Sequence, residues 1–241
     1  LKNFLIYKKE MTETTTYHTS STIHKQILCP LCSSKETSLF HISTEKKAGR
    51  EFHHCINCDL MFVPNQFHLD NIAQKNRYLE HNNDPYDQDY RDFILRLLDH
   101  LKPYLNPKAL GLDYGAGPGP ALATMMREDG YDIQLYDPFF YPDKSVLYKK
   151  YDFITCTETM EHMSEPICDL ITLDQILKPS GWIGIMTGML ESWDDFHNWY
   201  YYRDPTHIRF YSKTTMRWIG ERFSWQIVYP RQNVVLFQKR A

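Results

Sequence analysis

The stretch "LDYGAGPGP", residues 112–120, places three glycines directly behind a short apolar segment and just ahead of a helical one. Upstream, "ALGLDYG" (109–115) reads as a short buried strand. Downstream, "PALATMMRED" (120–129) reads as a helix with Pro120 in its first turn and Gly130 at its end, and "YDIQLYD" (131–137) as a second strand. Strand, helix and strand at this spacing make a βαβ unit, which implies parallel strands and an α/β fold. In such a sheet a ligand sits beyond the carboxyl ends of the strands, where the first strand hands over to its helix. Gly115, Gly117 and Gly119 stand at that handover, where glycine lets the backbone turn tightly and approach a ligand with no Cβ in the way.

The pattern extends outward from this unit. "DQDYRDFILRLLDHLKPYL" (87–105) sets Phe93, Leu97 and Leu101 on one face at helical spacing, closed by Pro103. "YDFITCTE" (151–158) reads as a strand, "EPICDLITLDQILK" (165–178) as a helix ended by Pro179 and Gly181, and "WIGIMTG" (182–188) as a further strand. After an aromatic loop (193–211), "SKTTMRWIGERF" (212–223) reads as a helix capped by Ser212, and "WQIVYP" with "NVVLFQKR" as a closing hairpin. Only about 14 residues separate the strand ending at Asp137 from the one starting at Asp152, so that crossover must be abbreviated.

Four cysteines form a separate signature. Cys29-x-x-Cys32 and Cys55-x-x-Cys58, with 22 residues between them, each fold as a tight turn aiming two thiolates at one ion. Tetrahedral zinc suits the set, and four thiolates leave no open position, so the zinc is structural. The alternative is two reduced pairs without metal. Cys156 and Cys168 lie in apolar surroundings and read as small buried hydrophobes. The expected organisation is a disordered leader (1–24), a zinc ribbon (25–65), a linker (66–84) and an α/β domain (85–241).

The formal charge of −3 gives no global basic field for nucleic acid, although segment 25–65 alone carries five Lys/Arg against four Asp/Glu. No apolar run approaches the length of a signal core or a membrane helix, and a cytoplasmic location is expected, with no membrane partner.

The glycine loop lacks the Gly-Lys-Ser/Thr ending of a P-loop, because Gly119 is followed by Pro120 and Ala121. A dinucleotide fingerprint would have its third glycine one residue later. The spacing Asp113-x-Gly115-x-Gly117-x-Gly119 instead resembles the first motif of class I methyltransferases that use S-adenosyl-L-methionine (SAM), a Rossmann-like α/β fold. "DFITCTETMEHM" (152–163) resembles the fourth-strand segment of the benzoquinol O-methyltransferase type, "LKPSGWIGIMT" (177–187) a common fifth-strand motif, and "RDPTHIRFYS" (203–212) a late His-containing loop. The order of ribbon and catalytic domain resembles a group of bacterial zinc-ribbon methyltransferases.

The resemblance implies that Asp113, Gly115 and Gly117 surround the methionine portion of SAM, with Gly119 completing the loop. Asp137, at the end of the second strand, is placed to accept the ribose hydroxyls, and Thr157 and Glu158 border the transfer site. A small-molecule acceptor and O-methylation are favoured; an RNA or sugar methyltransferase and an inactive zinc-ribbon binding protein are the alternatives. Residues 193–211 are expected to cover the acceptor. Glu158, Glu161, His162 and His207 resemble the magnesium site of small-RNA 2′-O-methyltransferases and imply a second divalent cation. Two other readings stand beside it: His162 or His207 as a general base without metal, and purely structural roles.

Overall fold

The computed structural model describes residues 26–43, 49–80 and 84–241; the expected leader lies outside them. The chain starts with strands β1 (Thr37–Ile42), β2 (Glu51–Cys55) and β3 (Met61–Phe62), then helices α1 (Asn71–Leu79) and α2 (Gln88–Leu101). The alternating part follows as β4 (Leu110–Tyr114), α3 (Ala121–Glu128), β5 (Asp132–Tyr136), β6 (Tyr151–Thr157), α4 (Pro166–Ile176) and β7 (Leu177–Met186). It closes with β8 (Met189–Leu190), β9 (Arg209–Ser212), α5 (Lys213–Phe223), β10 (Trp225–Arg231) and β11 (Val234–Lys239).

The main sheet has the order β10-β11-β7-β6-β4-β5. β5, β4, β6 and β7 are parallel, and the β10–β11 hairpin adds antiparallel at β7. From β4 the chain moves one way to β5 and later the other way to β6, so the sheet's switch point lies at the end of β4, under the glycine loop. Helix α2 supplies Ile94, Leu97, Leu98 and Leu101 to one face, where Phe153 of β6 also points. Ile154 and Cys156 face the opposite side, toward Leu170 and Leu173 of α4 and Met216 and Ile219 of α5. Burial on both faces explains why these strands read as continuous apolar runs. Ser212 caps α5 as expected, its hydroxyl accepting from Thr215 N at 3.1 Å.

Three expectations need correction. Strand β7 starts at Leu177, not at Trp182: Leu177 pairs with Tyr151, and the ladder is irregular around Pro179, which cannot donate to it. Segment 66–84 contains α1, capped by the Asp70 carboxylate at 2.8 Å from Ala73 N; its polar sequence gives little periodic signal. Cys156 is buried, but Cys168 is exposed on α4. The short crossover after β5 is a single turn at Lys144–Tyr148 with no strand.

The cysteine module is built into the α/β half rather than tethered to it. A second sheet has the order β1-β2-β3-β9-β8, in which Met61 and Phe62 pair with Phe210 and Arg209. Cys29, Leu31, Cys55, Cys58, Leu60 and Phe62 share one hydrophobic core with Ile154, Ile185 and Met216. No helix among the described residues is long and apolar enough to cross a membrane.

Asp59, directly after Cys58, fastens the two halves. Its Oδ1 accepts from His54 Nε2 at 2.7 Å and from Trp193 Nε1 at 2.9 Å, its Oδ2 accepts from Ser212 Oγ, and its carbonyl accepts from Thr215 Oγ1 at 2.9 Å. Burial pushes its carboxyl up, but these donors outweigh burial and hold it below the usual range. Asp59→Ala leaves the Trp193 and Ser212 donors without an acceptor and should lower stability by roughly 2 kcal/mol, read as a shift in denaturant midpoint. Asp59→Asn, which keeps one carbonyl oxygen, should recover part of the loss; an unchanged midpoint in the alanine variant would contradict the fastening role.

Candidate active site

The glycine loop opens onto a cavity of about 1160 Å³ at the carboxyl edge of the sheet. Gly115 and Gly117 have φ of +83° and +63°, a region that disfavours any Cβ. They differ in what surrounds them. A Cβ on Gly115 would lie 2.2 Å from the Thr159 side chain, whereas one on Gly117 would meet nothing within 4 Å. Gly115 is therefore a packing glycine, and Gly117 leaves an open approach for a ligand. Thr157, at the end of β6, lines the same cavity, and its Oγ1 is buried with no hydrogen-bond partner. An orphaned hydroxyl at the mouth of a glycine cradle fits a bound polar group.

Asp137 lines the cavity but is already engaged. Its Oδ1 accepts from Phe139 N at 2.8 Å and Phe140 N at 3.0 Å, and its Oδ2 from Gly117 N at 3.1 Å. Of the roughly four acceptor positions of a carboxylate, one remains for a ligand donor. Asp137 thus holds the glycine loop against the end of β5 as well as facing the ligand space.

Asp113 departs from its expected place. It is buried, accepts from Thr155 Oγ1 at 2.8 Å and does not line the cavity. Burial pushes its carboxyl up to about 6, against the Thr155 hydrogen bond. Strand alternation points it into the sheet's interior, so it supports the loop from beneath. Gly119 also lies off the cavity wall.

The expected quartet is partly assembled. Glu161, His162 and His207 bring one carboxylate oxygen and two ring nitrogens within 4.8 Å of one another. Glu161 is fully buried: its Oε2 accepts from Thr187 Oγ1 at 2.9 Å and its Oε1 from Tyr201 Oη. His162 Nδ1 lies 3.0 Å from Thr206 O, and His207 Nδ1 2.7 Å from Tyr201 O. A carbonyl only accepts, so both Nδ1 atoms carry the proton and both Nε2 lone pairs are available. Burial lowers the His207 pKa and keeps its ring neutral, with His162 adding to the effect and Glu161 opposing it.

Glu158 lies outside this cluster of three, at the cavity wall. Its backbone is left-handed, with φ of +47°, and its N–H donates to Met186 O at 2.7 Å, a strained turn of the kind that gathers at functional sites.

Sequence reasoning missed the residues that organise this cluster. Tyr201 Oη reaches Glu161 and Glu158 and accepts from Gly188 N at 3.1 Å. Arg50, from the cysteine module, donates to the carbonyls of Tyr202, Asp204 and His207 at 2.8–3.2 Å and so grips the loop that carries His207. Arg77 of α1 donates to Asp204 at 2.8 Å. None of these has a local signature. The aromatic loop does lie over the cavity, which Tyr200, Tyr201, Arg203 and Pro205 help to line.

The four cysteines converge as expected. Sγ of Cys29 lies 3.5 Å from that of Cys58, and Sγ of Cys32 3.5 Å from that of Cys55, all four within 4.8 Å. The edge of an S₄ tetrahedron around zinc is about 3.8 Å, so the set fits such an ion.

A family model described as a methyltransferase domain matches residues 52–229. The chain belongs to that family. This methyltransferase has the Rossmann-like class I fold of SAM-dependent enzymes, and the match begins inside β2, so it includes the second cysteine pair. Among solved structures it is similar to a SAM-dependent methyltransferase of Archaeoglobus fulgidus, at 18% identity over 62% of this chain and 94% of that one, with a TM-score of 0.47. It is also similar to the 1,6-didemethyltoxoflavin-N1-methyltransferase of Burkholderia thailandensis, whose structure holds 1,6-didemethyltoxoflavin and S-adenosylhomocysteine. That pair shares 15% identity over 78% of this chain and 99% of the other, with a TM-score of 0.47. No curated protein matches the methyltransferase.

The Glu158 carboxyl is pushed up to about 9 by burial and then by neighbouring Glu161. The folded protein keeps a proton that the unfolded chain releases at ordinary carboxyl pH, so the stability tied to this group is full in acid and is lost as pH rises toward 9. Glu158→Gln is neutral throughout, and its Tm should fall less than that of the wild type between about pH 6 and pH 9; parallel Tm profiles would refute the buried, protonated state.

Proposed function

We propose that this enzyme transfers the methyl group of SAM to a hydroxyl of a small molecule in the cytoplasm. One observation carries the reading: His162 and His207, each with an Nε2 lone pair to offer, line the cavity that the glycine loop opens onto, and the buried Glu161 carboxylate lies behind them within 4.8 Å. A hydroxyl is a poor nucleophile until its proton is drawn away, so an O-methyltransferase needs a base or a Lewis acid beside the acceptor. SAM supplies a methyl already activated by its sulfonium, transferred in line as the new bond to carbon forms and the bond to sulfur breaks. The protein's part is alignment, worth roughly 7–11 kcal/mol when complete, and removal of one proton.

In this reading Gly117, Thr157 and the remaining acceptor position of Asp137 hold the donor. His162 and His207 face the acceptor, and the aromatic loop excludes water. Glu161, His162 and His207 form a set of one oxygen and two nitrogens that suits a divalent cation such as magnesium, manganese or zinc. An ion held there would polarise the acceptor oxygen. The ligand atoms, up to 4.8 Å apart, would have to close toward the roughly 3.4 Å spacing of nitrogen and oxygen ligands on one tetrahedral ion. A second reading, His207 as general base without metal, is favoured by the burial that keeps its imidazole neutral.

S-adenosylhomocysteine should bind in calorimetry, and Asp137→Ala should weaken it by about 2 kcal/mol, as expected for hydrogen bonds to a charged group. Equal binding by the variant would remove Asp137 from the donor site. Methyl incorporation into fractionated extract, assayed before and after EDTA and again with added magnesium or manganese, separates the two readings of the histidines. Activity lost on chelation and restored by the ion supports the cation; full activity after chelation leaves the histidines as bases.

For the cysteines we propose one structural zinc, supported by their tetrahedral spacing. Metal analysis should give one zinc per chain, lost in a Cys29→Ser/Cys58→Ser variant. Because β3 pairs with β9, that variant should also lose methyl transfer; retained zinc would overturn the assignment.

A further inference from the structure

A second cavity, of about 580 Å³, opens on the far side of Glu158. Strand β10 is antiparallel to β11, which is antiparallel to β7, so the turn between β10 and β11 emerges at the carboxyl edge of the sheet, on the same edge as the glycine loop. That turn contributes Arg231 and Asn233 to the cavity wall, and α2 contributes Phe93 and Arg96. Phe93, Glu158, Tyr200 and Tyr201 line both cavities. The two spaces thus run as one trough along the sheet edge. The glycine loop and Asp137 stand at one end, Arg96 and Arg231 at the other, and Glu158 lies where they meet.

The arginine end has an electrostatic character of its own. Among the described residues, neither Arg96 nor Arg231 forms an ion pair with a carboxylate, and Arg96 lies over the Phe93 ring at 5.2 Å. Glu158 is the one acidic side chain in this cavity's wall. It stands at the junction with the larger cavity, where Tyr201 Oη donates to its Oε2 at 3.3 Å. Two guanidiniums from elements far apart in the sequence therefore line one end of a space whose single carboxyl group stands at the junction with the larger cavity. Arginine presents a planar fork of donors that matches the oxygens of a carboxylate or phosphate.

We propose that the methyl acceptor carries an anionic oxygen group, a carboxylate or a phosphate, which Arg96 and Arg231 bind. Its apolar body lies against Phe93, Trp199 and Tyr200, and its nucleophile reaches the methyl beside Glu158. The proposal rests on the reading of the chain as a methyltransferase acting on small molecules. It goes beyond that reading by naming the charge of the acceptor and the two residues that select it.

The test uses the full chain saturated with S-adenosylhomocysteine and titrated with 4-hydroxybenzoate, phenyl phosphate and neutral 4-hydroxybenzamide, followed by calorimetry and by tryptophan fluorescence, since Trp199 lines the wall. At least one anion should bind about tenfold or more tightly than the amide, and Arg96→Gln/Arg231→Gln should lose that advantage while binding S-adenosylhomocysteine as the wild type does. Both arginines are exposed, so the variant keeps its fold, and unchanged cofactor binding verifies this. The benzoate and phosphate arms tell which anion the site prefers. Cofactor binding with no preference for either anion, or a preference that survives in the double variant, overturns this proposal alone. Failure of the wild type to bind S-adenosylhomocysteine overturns the methyltransferase reading beneath it.

Discussion

The pairing of Met61 and Phe62 with Phe210 and Arg209 is a two-residue ladder, yet it ties the cysteine module to the segment that holds His207 against Glu161 and His162. It joins the cysteine module to the strand that follows His207. Val63 N donates to Ile208 O at 2.9 Å, and Arg209 Nη1 returns a bond to Val63 O at 2.9 Å. Arg209 is fully buried and also donates to Ser164 O, just past the turn that carries Glu161 and His162. Burial pulls both Arg209 and Arg50 down to about 10, so they remain charged at neutral pH. A buried guanidinium needs acceptors in several directions, and backbone carbonyls of Val63, Ser164 and Ile208 take the terminal N–H groups of Arg209, while its Nε has no partner. The cysteine module therefore acts as a brace for the loop that carries His207.

The same economy governs the buried acids. Asp113, Glu158 and Glu161 all lie within the protein behind or beside the cavity, and they are kept apart by what each hydrogen-bonds. Asp113 has Thr155; Glu161 has Thr187 and Tyr201; Glu158 shares Tyr201. Burial disfavours the charged form of Asp113 and of Glu158, and the Glu161 carboxyl beside it raises Glu158 further. Of the three, Glu158 alone stands in the cavity wall. Asp137, anchored by three backbone N–H groups, stands in that wall beside the glycine loop.

The sequence by itself determined the alternating elements, the handover at residues 112–120, the Ser212 cap and the pairing of the cysteines, because each is a local signal. Periodicity, a turn residue or a two-residue spacing is printed in consecutive positions, and the backbone has few ways to satisfy it. It also carried the quartet of Glu158, Glu161, His162 and His207 as candidates, since three of them share one short turn. What the sequence did not carry is which atoms of those side chains are free.

That was decided by tertiary structure. The Arg50 contact to Asp204 spans 154 residues, the Thr155 contact to Asp113 spans 42, and the Tyr201 contact to Glu161 spans 40. No periodic trace links residues so far apart. Strand alternation turned Asp113 inward, away from the cavity where its motif suggested it would stand. Helix α1, too polar to announce itself, came to rest against the cavity with Tyr78 edge-on to His162 at 5.1 Å. Local pattern fixes which elements form, because hydrogen bonding and turn geometry act between near neighbours. Which side chains meet at the site depends on how those elements pack, and packing is decided by burial and by the satisfaction of polar groups across the whole chain.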